Sequence, residues 1–416
     1  MEKDTQFKKN FIWNIIGTGV NAFSSLFFMI IVTRINGVEN AGIYTIAYTT
    51  ACILYMIGIY AGRIYQVTEN NEKIHNRDYI LNRVISCCIS IFIILIFVTI
   101  KKYDLYKSMI FITLAMYKGL EAFCDVFYGI LQKNNYLDKV GKSCFLKTII
   151  SIVAFILIDM LTKNLVLACT SIVIVYIAII MLYDIRTTRK YIYLEEKANI
   201  RNAMDIFKGG FFPFSISFLG VYITNAQKYA IDSFLTEDIQ AIFGIIIMPA
   251  TVMGLMAQFI IHPYLNQIFE LYKTEKYKEI KKIIYKIILA ILVIGAICSI
   301  LGYLLGIPIL ELVYGIGLSQ YSVALLMILI ASTFYTMAGI ISPILITMRC
   351  NFVQFITYIA VAIMEGIISN ILVQKYGING AVWAYLITMI IYFVIFYVVA
   401  MTIINSKISK KKEKKI

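Results

Sequence analysis

The chain has 416 residues, 60% of them hydrophobic and 15% charged, with a mean hydropathy of +0.81 and a formal net charge of +14. Soluble domains are roughly 45–50% apolar and about 25% charged, so a soluble globular or disordered chain is excluded, and a nucleic-acid binder with it. A span plus its loop takes about 30–35 residues, so the length accommodates roughly a dozen helices.

The first apolar run, Phe11 to Ile35, is too long for a signal peptide and lacks a small-residue cleavage site. It is read as the first transmembrane helix. Spanning runs follow at 41–64, 80–100, 107–131, 143–160 and 164–184, then at 207–233, 239–262, 283–306, 320–347, 353–373 and 379–404, with the first at 11–34. A Gly-rich apolar loop (Gly306, Pro308, Gly315, Gly317) separates the ninth and tenth and is expected to re-enter the membrane surface. Pro213, Pro249 and Pro343 fall in or near spans, where they bend helices.

This pattern predicts an all-α membrane protein of about twelve transmembrane helices in two six-helix lobes. The N-terminal lobe covers 1–190, a cytoplasmic linker 191–206, the C-terminal lobe 207–406 and a basic tail 407–416. The linker carries Tyr191-Ile192-Tyr193-Leu194 and is expected to lie as a short interfacial helix. The halves echo one another: Asn36 to Tyr48 and Thr236 to Met248 each join a first helix to a second. Lys133-Asn134-Asn135-Tyr136 and Arg349-Cys350-Asn351-Phe352 mark the fourth join of each half. Six spans per half make these parallel repeats, a transporter plan with a site between lobes.

Lys and Arg set the orientation. The N-terminus, the even-numbered joins and the tail collect 30 of them, and the other side collects 6. Both termini are therefore expected in the cytoplasm, and the tail (Lys407, Lys410 to Lys412, Lys414, Lys415) is expected to attract anionic lipid.

Polar residues inside spans are costly and mark a pathway. Asn14, Thr18, Asn21 and Ser25 are spaced 4, 3, 4 on the first helix, one face, with Arg34 beyond them at its outer end. Lys118, Glu121, Asp125, Tyr128 and Gln132 are spaced 3, 4, 3, 4 on the fourth. Asn225, Lys228 and Asp232 are spaced 3 and 4 on the seventh, and Glu365 stands alone near mid-membrane on the eleventh. Two readings stay open. Lys118–Glu121 and Lys228–Asp232 are structural ion pairs at i,i+3 and i,i+4. Alternatively, these faces line a hydrated cavity whose cations, Lys118, Lys228, Arg34 and Arg63, hold an anionic headgroup. Glu121, Asp125, Asp232 and Glu365 are candidates for coupling to H⁺ or Na⁺.

The eight cysteines fall in or beside apolar runs without metal-type spacing and are read as packing residues. His75 and His262 form no metal cluster. The chain has no phosphate-loop motif and no nucleophile triad, so no metal, cofactor or enzymatic activity is expected.

The stretch Val32-Thr33-Arg34-Ile35-Asn36-Gly37, followed by Ala41-Gly42-Ile43-Tyr44 and Ala47, resembles the polysaccharide transporter branch of the multidrug/oligosaccharidyl-lipid/polysaccharide (MOP) exporter superfamily, the Wzx-type flippases. Gly58 to Arg63 with Gln66-Val67-Thr68 resembles the end of that family's second helix, while Asn36 departs from its usual Leu and Glu39 from its small or polar loop residue. The motif resemblance lies in residues 11–70, and the topological one covers nearly the whole chain. It implies a flippase in the bacterial plasma membrane that moves an undecaprenyl-pyrophosphate-linked oligosaccharide (O-antigen, capsule or teichoic-type repeat unit) by alternating access, alongside a polymerase and glycosyltransferases. By position it assigns Arg34, Lys118 and Lys228, with Arg63, to the pyrophosphate or acidic sugars. The alternatives are an ion-coupled small-molecule exporter of the same superfamily, an integral-membrane polymerase or glycosyltransferase, and a scaffold that has lost transport.

Overall fold

The computed structural model describes residues 2–60, 62–68, 73–192, 197–348 and 350–413, with side chains at all of these except 2–5, 64, 255–263, 266, 412 and 413. Among the described residues it is helical, without strands. Arg349, Tyr193 and Leu194, the side chain of His262 and the tail lysines Lys412, Lys414 and Lys415 lie outside that description.

Eight helices among the described residues are long and apolar enough to span a bilayer, and nine if the pair α8 (Ile200–Gly209) and α9 (Phe211–Ile223), bent by 57°, forms one span. Two of these are double. Helix α1 (Glu2–Ile59) breaks at Gly37, φ 86° and ψ 176°, and α16 (Asn351–Glu413) breaks at Gly377, φ 59°. Both angles lie where glycine alone is unstrained. Helix α4 (Leu105–Lys133) also has spanning length, but Lys118, Glu121 and Asp125 crowd its middle. With these, the expected twelve helices are accounted for.

The chain divides into two compact units, Met1–Val221 and Tyr222–Ile416. The division falls inside the seventh expected span, so α8 belongs to the first unit. In that unit α1 packs on α5 (Leu137–Thr162), α4 and α3 (Asn76–Lys101). The α1–α5 crossing is a backbone contact at Gly17 and Gly141, where a methyl group on either would sit 2.0 Å from a carbonyl oxygen. Cys124, Phe127, Ile130, Val140 and Ile180 fill the core beneath.

The helix expected of the linker begins only at Ile200, past Tyr191. Arg189–Tyr191 form a single tight turn after α7 (Ile185–Thr188), and the amphipathic helix is α8, which buries Ala203 and Ile206 and exposes Ile200 and Met204. Buried Asp78 fastens it, accepting from Asn199 N–H at 2.7 Å and Asn202 Nδ2 at 2.8 Å, while Asn82 donates to the Ala203 carbonyl.

In the second unit, α10 (Ala226–Phe234) packs on α16, and α15 (Ser322–Thr347) on α16, α12 (Met248–Lys273) and α13 (Tyr277–Leu301). The ladder Ile280, Ile284, Ile287, Ile291 on α13 meets Ile340 and Ile344 on α15. The opposite face of α13, including Leu289, Val293, Ile297 and Ile300, is exposed, as a lipid-facing stripe must be. The expected re-entrant loop is instead a helical extension. A π turn at Gly302–Gly306 carries α13 into α14 (Ile307–Tyr314), which ends at left-handed Gly315. Of the three prolines, Pro249 begins α12 and Pro343 lies inside α15. The basic tail continues α16 and is partly docked: Lys407 donates to the Tyr272 hydroxyl at 3.1 Å and Lys411 pairs with Glu275 at 3.3 Å.

Candidate substrate cavity

The stripe on α4 meets the stripe on α1 in the first unit. Thr18, Asn21, Tyr55, Arg63, Glu121, Asp125, Tyr128, Cys144, Lys147 and Tyr176 line a cavity of about 120 Å³. Pockets that enclose drug-sized ligands measure about 300–1,000 Å³. This one is smaller than that range.

Charge inside it is arranged in pairs. Lys118 Nζ donates to Glu121 Oε2 at 2.6 Å, as its i,i+3 spacing predicts, and Asn21 Nδ2 donates to the other oxygen at 3.1 Å. Lys118 itself sits over the rings of Tyr48, Tyr117 and Tyr55 at 5.0, 4.9 and 5.8 Å, so cation–π contacts replace part of its hydration. Lys147 donates to Asp184, to the Tyr128 hydroxyl at 3.0 Å and to Cys124 Sγ at 2.9 Å. Ser143 adds a hydrogen bond to Asp184 at 2.6 Å. A π turn at Ile180–Asp184 presents Asp184 to this network, a common role for such turns at functional sites.

Asp125 holds two cations unequally. Arg83 Nη2 lies 3.2 Å from it and also donates to the Gly58 carbonyl at 3.2 Å, and Arg83 is buried. Arg63 Nε is 4.0 Å away with 30% of its side chain exposed. The lining itself balances Arg63 and Lys147 against Glu121 and Asp125, and the network around it, with Arg83, Lys118 and Asp184 added, sets four cations against three carboxylates. One positive charge is in excess, and Arg63 is the loosest held and most open of the four.

Other expected residues lie apart from this lining. Arg34 is exposed and outside the cavity lining, because it lies 13 residues beyond Asn21, about 20 Å along α1. Asn14 and Ser25 share the face of Thr18 and Asn21 but fall outside the lining. Lys118 is not in the lining but pairs with Glu121 and sits over Tyr55, both of which are. Arg83 and Lys147, counted with cytoplasmic loops, are buried on α3 and α5. Cys124 is a hydrogen-bond acceptor as well as a packing residue.

In the second unit, Lys228 donates to Asn225 Oδ1 at 3.0 Å, and Asp232 follows one turn on along α10. Glu365 is fully buried. Gln227 donates to its Oε1 and so does Ser369, at 2.8 Å, while Oε2 has no hydrogen-bond partner. No group of three or more metal-binding side chains occurs among the described residues.

No family model matches the chain. Over 397 residues it is 28% identical to the capsular polysaccharide biosynthesis protein CapF of Staphylococcus aureus, covering 94% of this chain and 98% of that one. Among solved structures it is similar to an inward-facing multidrug resistance MATE family transporter of the MOP superfamily (TM-score 0.71, 11% identity, 95% of this chain and 99% of the other). It is also similar to the lipid II flippase MurJ in an inward closed conformation (TM-score 0.66, 15% identity, 92% and 86%). The chain has the MOP superfamily transporter fold. The resemblance read from residues 11–70 is borne out, with a capsular polysaccharide biosynthesis protein as relative and MATE transporters and a lipid II flippase among the structural neighbours. The protein is a multi-pass membrane protein.

Proposed function

We propose that this chain is a flippase carrying an undecaprenyl-pyrophosphate-linked oligosaccharide of the capsule, O-antigen or teichoic type across the bacterial plasma membrane. The observation that carries the reading is Arg63, a cation of the cavity lining whose ion pair is long and open, in an ion-pair network around the cavity with one cation more than carboxylates. A hydrocarbon core rejects a pyrophosphate-sugar headgroup. A polar cavity with the loosely paired Arg63 in its wall replaces part of its hydration while the lipid tail stays in the bilayer. The polysaccharide relative and the lipid II flippase among the structural neighbours support the same substrate class. A polymerase and glycosyltransferases are the partners this reading implies.

Both termini lie in the cytoplasm in this reading. Moving Arg83 and Lys147 from loops into helices leaves 28 cations against 6, and the asymmetry stands. Glu365 takes up the coupling ion. A buried carboxyl without a cation at hand is stable only when protonated or ion-bound, which links its state to the gradient.

The test is headgroup translocation by the purified protein in proteoliposomes, using the host's own lipid-linked oligosaccharide and its accessibility to an external glycosidase. Protein-dependent exchange is expected. Export of cationic dyes without headgroup exchange would favour the multidrug reading instead.

A further inference from the structure

One face of α16 before its break at Gly377 carries a polar series: Asn351, Gln354, Tyr358, Glu365 and Ser369, spaced 3, 4, 7 and 4. All but Asn351 are buried. Residues from α15 and the second half of α16 complete it. The Tyr392 hydroxyl donates to the Tyr358 oxygen at 2.9 Å. The Tyr358 hydroxyl donates to Ser342 Oγ at 3.3 Å, and Gln354 Nε2 donates to the same Oγ and to the Ser342 carbonyl. Every hydroxyl in the series is at least nine-tenths buried.

The ladder leads toward Glu365. One turn before Tyr392 on the same helix is Thr388, fully buried, which lies against the Glu365 carboxyl without hydrogen-bonding geometry. Glu365 Oε2, Thr388 Oγ1 and Gln227 Oε1 are all buried and unpartnered, a donor and acceptor set in one place. Unpaired buried polar atoms are rare and signal function or an exchangeable partner. The other end reaches the bundle's end. Gln354 is one turn from Asn351, the first residue of α16, whose Oδ1 is likewise buried and unpartnered. Gln354 lies 11 residues from Glu365, about 16 Å along the axis.

We infer that Thr388, Tyr392, Tyr358 and Ser342 form the route by which a proton passes between Glu365 and the Asn351 end of the second unit. The proposal rests on the coupling role given to Glu365 above, and it makes the proton that ion. Tyr392, Tyr358 and Ser342 are joined by hydrogen bonds, and Thr388, one turn before Tyr392, joins them when its unpartnered hydroxyl rotates from the Glu365 side toward Tyr392; each hydroxyl then takes a proton on its oxygen and releases its own to the next. One proton therefore leaves the Glu365 carboxyl, which becomes a carboxylate, and the Ser342 hydroxyl releases one to water entering at the Asn351 end; rotation of the hydroxyls resets the series. The groups facing Glu365 are Tyr222 from α9, Gln227 from α10, Ser369 on its own segment, and Tyr385 and Thr388 from the segment after Gly377. None of these carries a fixed charge that would hold the carboxylate.

The test needs no substrate. The infrared carbonyl band of protonated Glu365 is identified in the full-length protein in lipid nanodiscs by its loss in Glu365→Gln, and its decay is followed after an alkaline pH jump. Tyr358→Phe and Tyr392→Phe each remove one hydroxyl and keep the ring. Each is expected to slow the decay by at least about tenfold without moving the pH midpoint. Tyr335→Phe, whose ring stacks on Tyr392 at 6.3 Å but which lies outside the ladder, is expected to leave the decay unchanged. An unchanged decay in both ladder variants, or a Glu365 band that never responds to pH, overturns the route. Failure of headgroup exchange overturns the flippase reading and leaves this band assay to stand or fall by itself.

Discussion

The two units treat buried polarity in opposite ways. The first gathers ions: Lys118 with Glu121, Lys147 with Asp184, and Arg83 with Asp125, around a small cavity. The second isolates one carboxyl, Glu365, among hydroxyls and amides. Paired charges resist titration and hold shape. A lone carboxyl in hydrocarbon responds to protons. In the proposed reading the first unit handles the anion and the second couples the ion.

The largest expected effect breaks the first unit's pairing. Removing one partner of a buried ion pair leaves an uncompensated charge at a cost of about 3–5 kcal/mol, so Lys147→Ala or Asp184→Ala should sharply lower the unfolding temperature in detergent. The double exchange Lys147→Met with Asp184→Leu should recover most of it. If both single variants melt like the parent, this network does not hold the unit together.

Next comes the surplus charge. Arg63→Ala should reduce headgroup translocation by about ten- to a hundredfold with little change in melting, because its ion pair is long and partly open. Arg63→Lys should retain part of the activity. Glu365→Gln sharpens the other side of the comparison. It mimics the protonated acid, so translocation should persist while its dependence on an imposed pH gradient disappears. A gradient response equal to that of the parent would remove Glu365 from coupling.

Smaller effects test what lies outside both sites. Asn202→Ala cuts one clasp on α8 and should speed hydrogen exchange of that helix, at a cost of about 1 kcal/mol. Arg34→Ala should leave translocation within about twofold, since the residue is exposed and away from the cavity lining.

Helical spacing made much of this legible. The 3, 4, 3 pattern on α4 put Glu121, Asp125 and Tyr128 on one face, and they line the cavity with Thr18 and Asn21 from α1. Glu365 was conspicuous because nothing else charged lies near it in the sequence. Hydropathy hid the partners. Arg83 and Lys147 sit within a turn or two of polar joins, where a window average reads them as loop, yet their helices begin earlier, at Asn76 and Leu137. Asp184 falls at the end of a span and reaches inward through a π turn that no simple period anticipates. Arg34 shows the converse: a cation next to a polar stripe in the sequence can lie far along the helix from the cavity. The hydroxyl ladder joins residues from three helical segments, and a periodicity along one segment gives only half of it.

The most direct test of the central claim is binding of a short-chain isoprenyl pyrophosphate to the purified full-length protein, measured calorimetrically at low and high salt. The account predicts salt-sensitive binding that weakens about tenfold in Arg63→Ala and partly returns in Arg63→Lys. Equal affinity in the parent and Arg63→Ala would contradict it, because the first unit's surplus charge would then play no part in holding the headgroup.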